Sequence, residues 1–272
     1  MKTFRDPAKL QKWALAARRR GSRIALVPTM GYLHKGHLSL VRRAKALKAD
    51  EIVVSIFVNP VQFCPGEDFE KYPRDEKADI AKCKAAGATA VFVPAAADMY
   101  LDRHSTSISE KELSAGLCGA RRPGHFDGVC TVVAKLFNIA QPDIAVFGRK
   151  DYQQAQVVKR MVRDLNFPVK IVVSPIVREA SGLAMSSRNT YLGAEERRMA
   201  LAISAGLKRM KRDRAFTPAR LRQSLERAGL RVDYVECVDA ATLERVGRPR
   251  KGDCVLVAAY SGRTRLIDNI IL

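Results

Sequence analysis

Runs of consecutive apolar residues alternate with amphipathic stretches over the first two thirds of the chain. The strand-like runs lie at 23–27, 52–58, 89–93, 143–147 and 169–173, and the helical stretches lie at 38–48, 75–86, 128–140 and 152–165. Continuous apolar strands separated by helices are typical of a parallel sheet that is covered on both faces. The pattern predicts an α/β fold with a Rossmann-like, doubly wound sheet that binds ligands at the carboxyl ends of its strands.

The remainder of the chain predicts a smaller α+β domain. Helical patterns at 194–211 and 218–228 are followed by short strands at 231–239 and 253–260 and by the tail 264–272. We place the boundary near residue 177, so the expected domains are 1–177, which binds the ligands, and 178–272, which closes over them as a lid. At the other end of the chain, Asp6 as N-cap, Pro7 and Gly21 delimit a helix.

Composition excludes several classes of protein. No apolar run approaches the roughly 18 residues of a membrane-spanning helix, and the first residues lack the apolar core of a secretory signal. The six cysteines form no CxxC pair, which favours reduced thiols and a cytoplasmic location. The net charge of +20 is spread over the chain, so a solvated basic surface is favoured over a nucleic-acid partner.

The stretch VPTMGYLHKGHLSL passes from a strand, which we expect to end at Pro28, into a helix. Gly31 and Gly36 permit close backbone approach, and the helix N-terminus that follows is a ready anion site, usually for phosphate. His34 and His37 can both donate to phosphate oxygens there. The alternative is that the two histidines only cap the helix.

Three further blocks combine polar side chains with strand ends or turns. In SIFVNPVQF the carboxamides of Asn59 and Gln62 suit an uncharged polar ligand, although Asn-Pro alone is more often a turn. In QPDIAVFGRKDYQQ, Lys150 offers a charge for phosphate, and Asp151 is either a ribose acceptor or an N-cap. In GLAMSSRN the hydroxyls and the guanidinium of Arg188 fit pyrophosphate, or the segment is a serine-rich turn.

Together with RPGHFDGV and RLIDN, these blocks resemble the pantothenate synthetase family, pantoate–β-alanine ligases of the HxGH nucleotidyltransferase superfamily. The resemblance implies ATP-dependent condensation of pantoate with β-alanine to give pantothenate, AMP and pyrophosphate through pantoyl adenylate. It also implies ATP as a substrate, Mg²⁺ held largely by phosphates and water, and a homodimer. Asp79 is a candidate outer contributor to the magnesium site.

The resemblance also implies roles for individual residues. The implied catalytic residues are His34, His37, Lys150, Ser186, Ser187 and Arg188. The implied ATP-binding residues are Pro28, Thr29, Met30, Gly31, His34, Gly36, His37, Gly148, Lys150, Asp151, Val177, Met185, Ser186, Ser187 and Arg188. The implied pantoate-binding residues are Asn59, Gln62, Tyr72 and Gln154.

Two positions depart from the family pattern. Arg149 stands where the family usually has Glu or Gln, and Cys118 stands where Glu is common. Arg122 and His125 are interpreted as structural or as residues at the edge of the site. Two other functions stay open: a related transferase that makes a dinucleotide-like product, and a non-catalytic nucleic-acid-binding protein on the same fold.

Overall fold

The computed structural model describes residues 1–213 and 215–272, which form two compact units. The first unit comprises Met1–Gly148 and Gln154–Ser174, and the second comprises Arg149–Gln153 and Pro175–Leu272. The short segment Arg149–Gln153 therefore groups with the C-terminal part of the chain, although it lies well before residue 177. This segment contains two of the predicted ATP-binding residues, Lys150 and Asp151.

The first unit is built on a six-stranded parallel sheet in the order β1-β4-β3-β2-β5-β6. Its strands are β1 (Lys2–Phe4), β2 (Ile24–Thr29), β3 (Glu51–Ile56), β4 (Ala90–Phe92), β5 (Ile144–Gly148) and β6 (Lys170–Ser174). The strand order reverses between β2 and β5, which is where sheets of this type bind ligands. The predicted doubly wound α/β fold is confirmed. The HxGH motif follows β2 and the segment with Lys150 follows β5, so both come after the strands between which the order reverses.

Seven helices belong wholly or mainly to the first unit. They are α1 (Pro7–Arg19), α2 (Lys35–Ala46), α3 (Glu76–Ala86), α4 (Ala96–Met99), α5 (Leu117–Arg121), α6 (His125–Ala140) and α7 (Tyr152–Asp164), and a 3₁₀ turn spans Pro60–Gln62. Asp6 caps α1 by accepting from the amides of Ala8 and Lys9, as predicted. Helix α6 is apolar on most sides, and 13 of its 16 residues are buried.

The expectation that Pro28 ends the second strand is wrong. Strand β2 continues to Thr29, and Pro28 is paired with Ser55 of β3. The ladder between β2 and β5 involves only Ala25 and Leu26, so Pro28 lies beyond it and its missing N–H breaks no bond on that side. The sequence pattern also missed β1 and the two short helices α4 and α5.

The second unit packs helices against an antiparallel sheet of three strands in the order β7-β8-β9. Its elements are a 3₁₀ turn at Ser187–Tyr191, α8 (Ala194–Arg212), α9 (Pro218–Arg227), β7 (Arg231–Val238), β8 (Cys254–Ser261) and β9 (Thr264–Ile271). A Cβ on Gly206 would lie 2.2 Å from Leu221 Cδ1, so glycine lets α8 and α9 approach closely. The predicted smaller α+β part is confirmed.

Within residues 1–213 and 215–272, none of the helices has the length and apolar character needed to cross a membrane. All six cysteines are free thiols, and five of them are buried. Burial raises the pKa of Cys83, Cys130 and Cys254 to about 12, so these thiols stay protonated and act as core side chains.

Candidate active site

The two histidines of the HxGH motif form a stacked pair at the start of α2. His34 is the N-cap, and its Nδ1 accepts from the Gly36 amide at 3.1 Å, while His37 Nδ1 accepts from the His34 amide at 3.4 Å. The ring centroids are 4.0 Å apart. Because each neutral ring accepts at Nδ1, each carries its proton on Nε2. Capping therefore fixes the tautomer that presents two N–H donors at the positive end of the helix.

Asp79 of α3 shapes the loop that leads to these histidines. Its carboxylate is 1% exposed and accepts from the amides of Tyr32 at 2.6 Å and Leu33 at 2.7 Å. Gly31 has a φ of +84°, and a Cβ there would lie 3.1 Å from Asp79 Oδ2. Burial raises the pKa of the Asp79 carboxyl above its ordinary value, against these hydrogen bonds. The structure gives Asp79 a role in holding the loop that leads to the histidines.

The predicted pantoate residues Asn59 and Gln62 belong to one buried network after β3. Asn59 Nδ2 donates to Gln62 Oε1 at 3.2 Å and to the Gly128 carbonyl at 3.1 Å, and Asn59 Oδ1 accepts from the Tyr100 hydroxyl at 2.7 Å. Gln62 Nε2 lies 2.9 Å from Met30 Sδ. The amide of Asn59 is thus used within the protein. It fixes the Gln62 side chain, with Oε1 as acceptor and Nε2 as donor.

A row of three side chains, those of Glu67, Arg122 and His125, supports the backbone of Gln62. Glu67 receives two hydrogen bonds from Arg122, at 2.6 and 2.7 Å, and Arg122 Nη1 lies 2.9 Å from His125 Nε2. Because arginine only donates, His125 carries its proton on Nδ1, which lies 2.8 Å from the Gln62 carbonyl. Burial pushes the pKa of Glu67 upward, but the hydrogen bonds and charge of Arg122 outweigh burial and hold it below its ordinary value. The sequence indicated Arg122 and His125 as structural residues or as residues at the edge of the site, and the structure shows them supporting the Gln62 backbone.

In the second unit, the structure brings Lys150 and Ser186 to the same small cavity, which Asn189 and Asp268 also line. Lys150 Nζ lies 3.5 Å from Asp151 Oδ1. Ser186 caps the 3₁₀ turn by accepting from the Arg188 amide at 3.3 Å. The lysine and the first serine of the serine-rich loop, predicted separately, therefore lie beside one small cavity, whose other lining residues include the apolar side chains of Leu183, Ile203 and Leu266.

Ion pairs that the sequence did not indicate brace the serine-rich loop. Asn189 Nδ2 donates to Glu179 Oε1 at 2.7 Å and to the Ala184 carbonyl at 3.1 Å. Arg197 donates to Glu179 Oε2 at 2.7 Å and to the Asn189 carbonyl at 2.8 Å. Met185 donates its amide to the Val177 carbonyl at 3.0 Å. The segments that carry Val177 and Glu179 on one side and residues 184–189 on the other are therefore tied together.

The other predicted residues occupy different surroundings. Tyr72 is buried, with its ring edge-on to Phe63 at 6.0 Å between centroids. Gln154 is half-buried on α7 in the first unit. Cys118 is buried in α5. Arg149 has a buried Nε without a hydrogen-bond partner among the described residues, and nothing in the structure explains arginine at this position.

This combination of fold and side chains agrees with the match of the sequence to a known family. The sequence model of the family described as pantoate-beta-alanine ligase matches residues 2–271. The chain belongs to the pantoate–β-alanine ligase family. The predicted family and enzyme class are confirmed, and they favour the ligase over both alternative functions.

Relatives and solved structures agree with this membership. Pantothenate synthetase from Myxococcus xanthus is 51% identical over 97% of this chain and 94% of its own length, and the enzyme from Anaeromyxobacter dehalogenans is 53% identical over 97% and 96%. A crystal structure of pantothenate synthetase from Thermus thermophilus aligns with a TM-score of 0.92 at 43% identity, covering 100% of this chain and 99% of that one. Pantoate-beta-alanine ligase from Francisella tularensis, complexed with beta-gamma ATP and beta-alanine, has a TM-score of 0.87 at 32% identity, covering 100% and 97%.

Proposed function

We propose that this chain condenses pantoate with β-alanine, using ATP and forming pantoyl adenylate as the intermediate. The single observation that carries the proposal is the His34–His37 pair, whose Nδ1 atoms are both used by the N-terminus of α2. Two Nε2–H donors at the positive end of a helix are suited to the oxygens of a phosphorus centre under attack. Family membership supports the same reaction.

The chemistry proceeds in two steps. A pantoate carboxylate oxygen attacks the α-phosphorus of ATP, and the bond from that phosphorus to the bridging oxygen breaks to release pyrophosphate. The amine of β-alanine then attacks the pantoyl carbonyl, AMP leaves with the oxygen that pantoate supplied, and the nitrogen loses a proton. No side chain becomes covalently modified, so the rate comes from positioning and from stabilising the charge that develops.

On the phosphate side, Lys150, Ser186, Ser187 and Arg188 hold the triphosphate and the leaving pyrophosphate. Lys150 and Ser186 lie together beside one small cavity in the second unit, which supports a shared role for these two residues. Asp151 accepts from ribose hydroxyls. The remaining ATP contacts are main-chain or apolar and come from Pro28, Thr29, Met30, Gly31, Gly36, Gly148, Val177 and Met185.

On the pantoate side, Gln62 and Gln154 bind the hydroxyl and the carboxylate. A carboxamide that both donates and accepts suits these groups. Asn59 acts by fixing Gln62, since its own polar atoms are occupied. Tyr72 forms part of the pocket wall.

Mg²⁺ enters with ATP as the counter-ion of the triphosphate. Among the described residues, no cluster of three or more His, Cys, Asp or Glu side chains could hold a metal ion. A divalent ion carried by phosphate oxygens and water, the usual arrangement for Mg²⁺, fits these residues. When bound, the ion would neutralise part of the phosphate charge, and Lys150 and Arg188 would supply further positive charge from the protein.

Three further expectations belong to the proposal. The chain is a homodimer, which sedimentation would test. It works in the cytoplasm, and its six free thiols support a reducing compartment. The C-terminal part acts as a lid that protects pantoyl adenylate from water, and equal hydrolysis of the adenylate by enzymes with and without residues 178–272 would contradict this role.

The experiment that tests the proposed reaction is isotope transfer from pantoate labelled with ¹⁸O in its carboxylate. Incubation with MgATP and β-alanine should yield pantothenate and AMP that carries one labelled oxygen. Label in inorganic phosphate would point to an acyl phosphate instead, and label in pyrophosphate would point to an acyl pyrophosphate. No pantothenate from the folded protein would overturn the proposed function.

A further inference from the structure

The second half of strand β9 carries a buried polar pair, Asp268 and Asn269, which are 4% and 1% exposed. Asn269 Nδ2 donates to the carbonyl of Arg149 at 2.9 Å and to the carbonyl of Lys150 at 3.0 Å. Both hydrogens of this amide are therefore used on two consecutive peptide groups that lie about 120 positions earlier in the chain. Asn269 Oδ1 is buried without a partner among the described residues, so its two donors are the function that this side chain serves.

Fixing two consecutive carbonyls restricts the backbone on both sides of the Lys150 α-carbon. The orientation of those peptide planes sets the direction in which the lysine side chain leaves the backbone. That side chain is 20% exposed and lines the small cavity together with Ser186. A catalytic cation that is displaced by an ångström loses much of its effect, because its charge no longer meets the oxygen on which charge develops.

The Asn269 backbone is itself held by its neighbour. Asp268 Oδ1 accepts from the Asn269 amide at 2.8 Å, and the same carboxylate pairs with both terminal nitrogens of Arg178, at 2.6 and 3.0 Å. Arg178 also donates to the Gly182 carbonyl at 3.2 Å, on the segment that leads into the serine-rich loop. The second half of β9 thus connects the lysine segment with the loop that carries Ser186.

We propose that Asn269 is a positioning residue, which aims Lys150 at the triphosphate by holding the main-chain carbonyls of Arg149 and Lys150. The inference rests on the proposed function, because it takes the assignment of Lys150 to the phosphates from there. It differs from a purely structural role in one respect: the effect of losing Asn269 passes through Lys150.

The test compares Asn269→Ala and Asn269→Asp with Ser261→Ala in pantoate-dependent exchange of labelled pyrophosphate into ATP. Ser261 is a matched control, since it is fully buried in the same unit and donates one hydrogen bond, to the Glu196 carbonyl at 2.7 Å. Both Asn269 variants should lower the exchange rate by about 10- to 100-fold, while KM for pantoate changes by less than about twofold. The inference would be overturned if the Asn269 variants, with the same thermal stability as Ser261→Ala, lost no more of the exchange rate than Ser261→Ala does.

A double-mutant cycle gives a readout that mere stabilisation would not move. In the Lys150→Ala background, Asn269→Ala should lower the remaining exchange by less than about twofold, because the group it positions is gone. If Asn269→Ala lowered the exchange rate of the Lys150→Ala enzyme by the same factor as that of the wild type, the inference would be overturned. Calorimetric binding of a non-hydrolysable ATP analogue separates this result from failure of the proposed function, since Asn269→Ala should weaken that binding about tenfold even if wild-type protein makes no pantothenate.

Discussion

The two units organise their candidate site residues by different means. In the first unit, the side chain of the pantoate residue Gln62 is held by the neutral amide of Asn59, which the Tyr100 hydroxyl holds in turn, while the charged pair Glu67–Arg122 supports the backbone of Gln62. In the second unit, the loop and the lysine segment are braced by ion pairs such as Arg178–Asp268 and Arg197–Glu179. Neutral amides suit a small ligand that must be recognised by its hydroxyl and its carboxylate, whereas cations suit a triphosphate.

The largest expected effect concerns the phosphate side. Lys150→Ala should lower the rate of adenylate formation by about 10²- to 10³-fold, comparable to the loss of one well-aimed oxyanion donor. Lys211→Ala is a suitable control, because this lysine is exposed at the end of α8 in the same unit. Equal, small effects of the two variants would show that general positive charge, and not Lys150, serves the phosphates.

A smaller effect, with a different kinetic signature, is expected on the pantoate side. Asn59→Ala leaves the Tyr100 hydroxyl and the Gly128 carbonyl without their partner, so the free energy of unfolding should fall by about 1–3 kcal/mol. Release of the Gln62 side chain should raise KM for pantoate about tenfold, with KM for ATP unchanged. Tyr100→Phe removes only one of these hydrogen bonds and should have a clearly weaker effect on both quantities.

The ion pair between Glu67 and Arg122, which supports Gln62, should make the free energy of unfolding depend on pH. Arg122 holds the pKa of Glu67 below its ordinary value, so the ion pair stabilises the fold above that value and the contribution is lost as the pH falls through the lowered pKa. Wild type should be more stable than Glu67→Gln at pH 7, and the difference in urea midpoint should shrink below about pH 4. A difference that does not change with pH would show that packing, and not charge, gives Glu67 its effect.

The smallest effect is expected at Tyr152, which is a second attachment point of the segment Arg149–Gln153 that carries Lys150. The Tyr152 hydroxyl donates to the Ala240 carbonyl at 2.7 Å. Tyr152→Phe should lower the free energy of unfolding by about 0.5–1.5 kcal/mol, and kcat should change by less than about threefold, because Lys150 keeps its own contacts with Asn269. A loss of kcat as large as that of Lys150→Ala would mean that the segment is positioned through Tyr152 instead.

Much of the fold and part of the site could be predicted because the signals are local. The His34–Lys35–Gly36–His37 run at a strand-to-helix turn indicated the anion site, and continuous apolar strands indicated the parallel sheet. The supporting residues could not be found in this way. Asp79 acts on Leu33 from 46 positions away, and Asn269 acts on Lys150 from 119 positions away. Only the folded chain brings these partners together, and the block RLIDN, although it carries part of the family resemblance, gives no local sign of what Asn269 contacts.

The most direct test of the division between the two units is pyrophosphate exchange measured as a function of both substrates in Gln62→Ala and Lys150→Ala. For Gln62→Ala we expect a raised KM for pantoate and recovery of most of the rate at saturating pantoate. For Lys150→Ala we expect a low rate that excess pantoate does not restore. If saturating pantoate rescued both variants, or neither, the assignment of pantoate to the first unit and of the triphosphate to Lys150 would be contradicted.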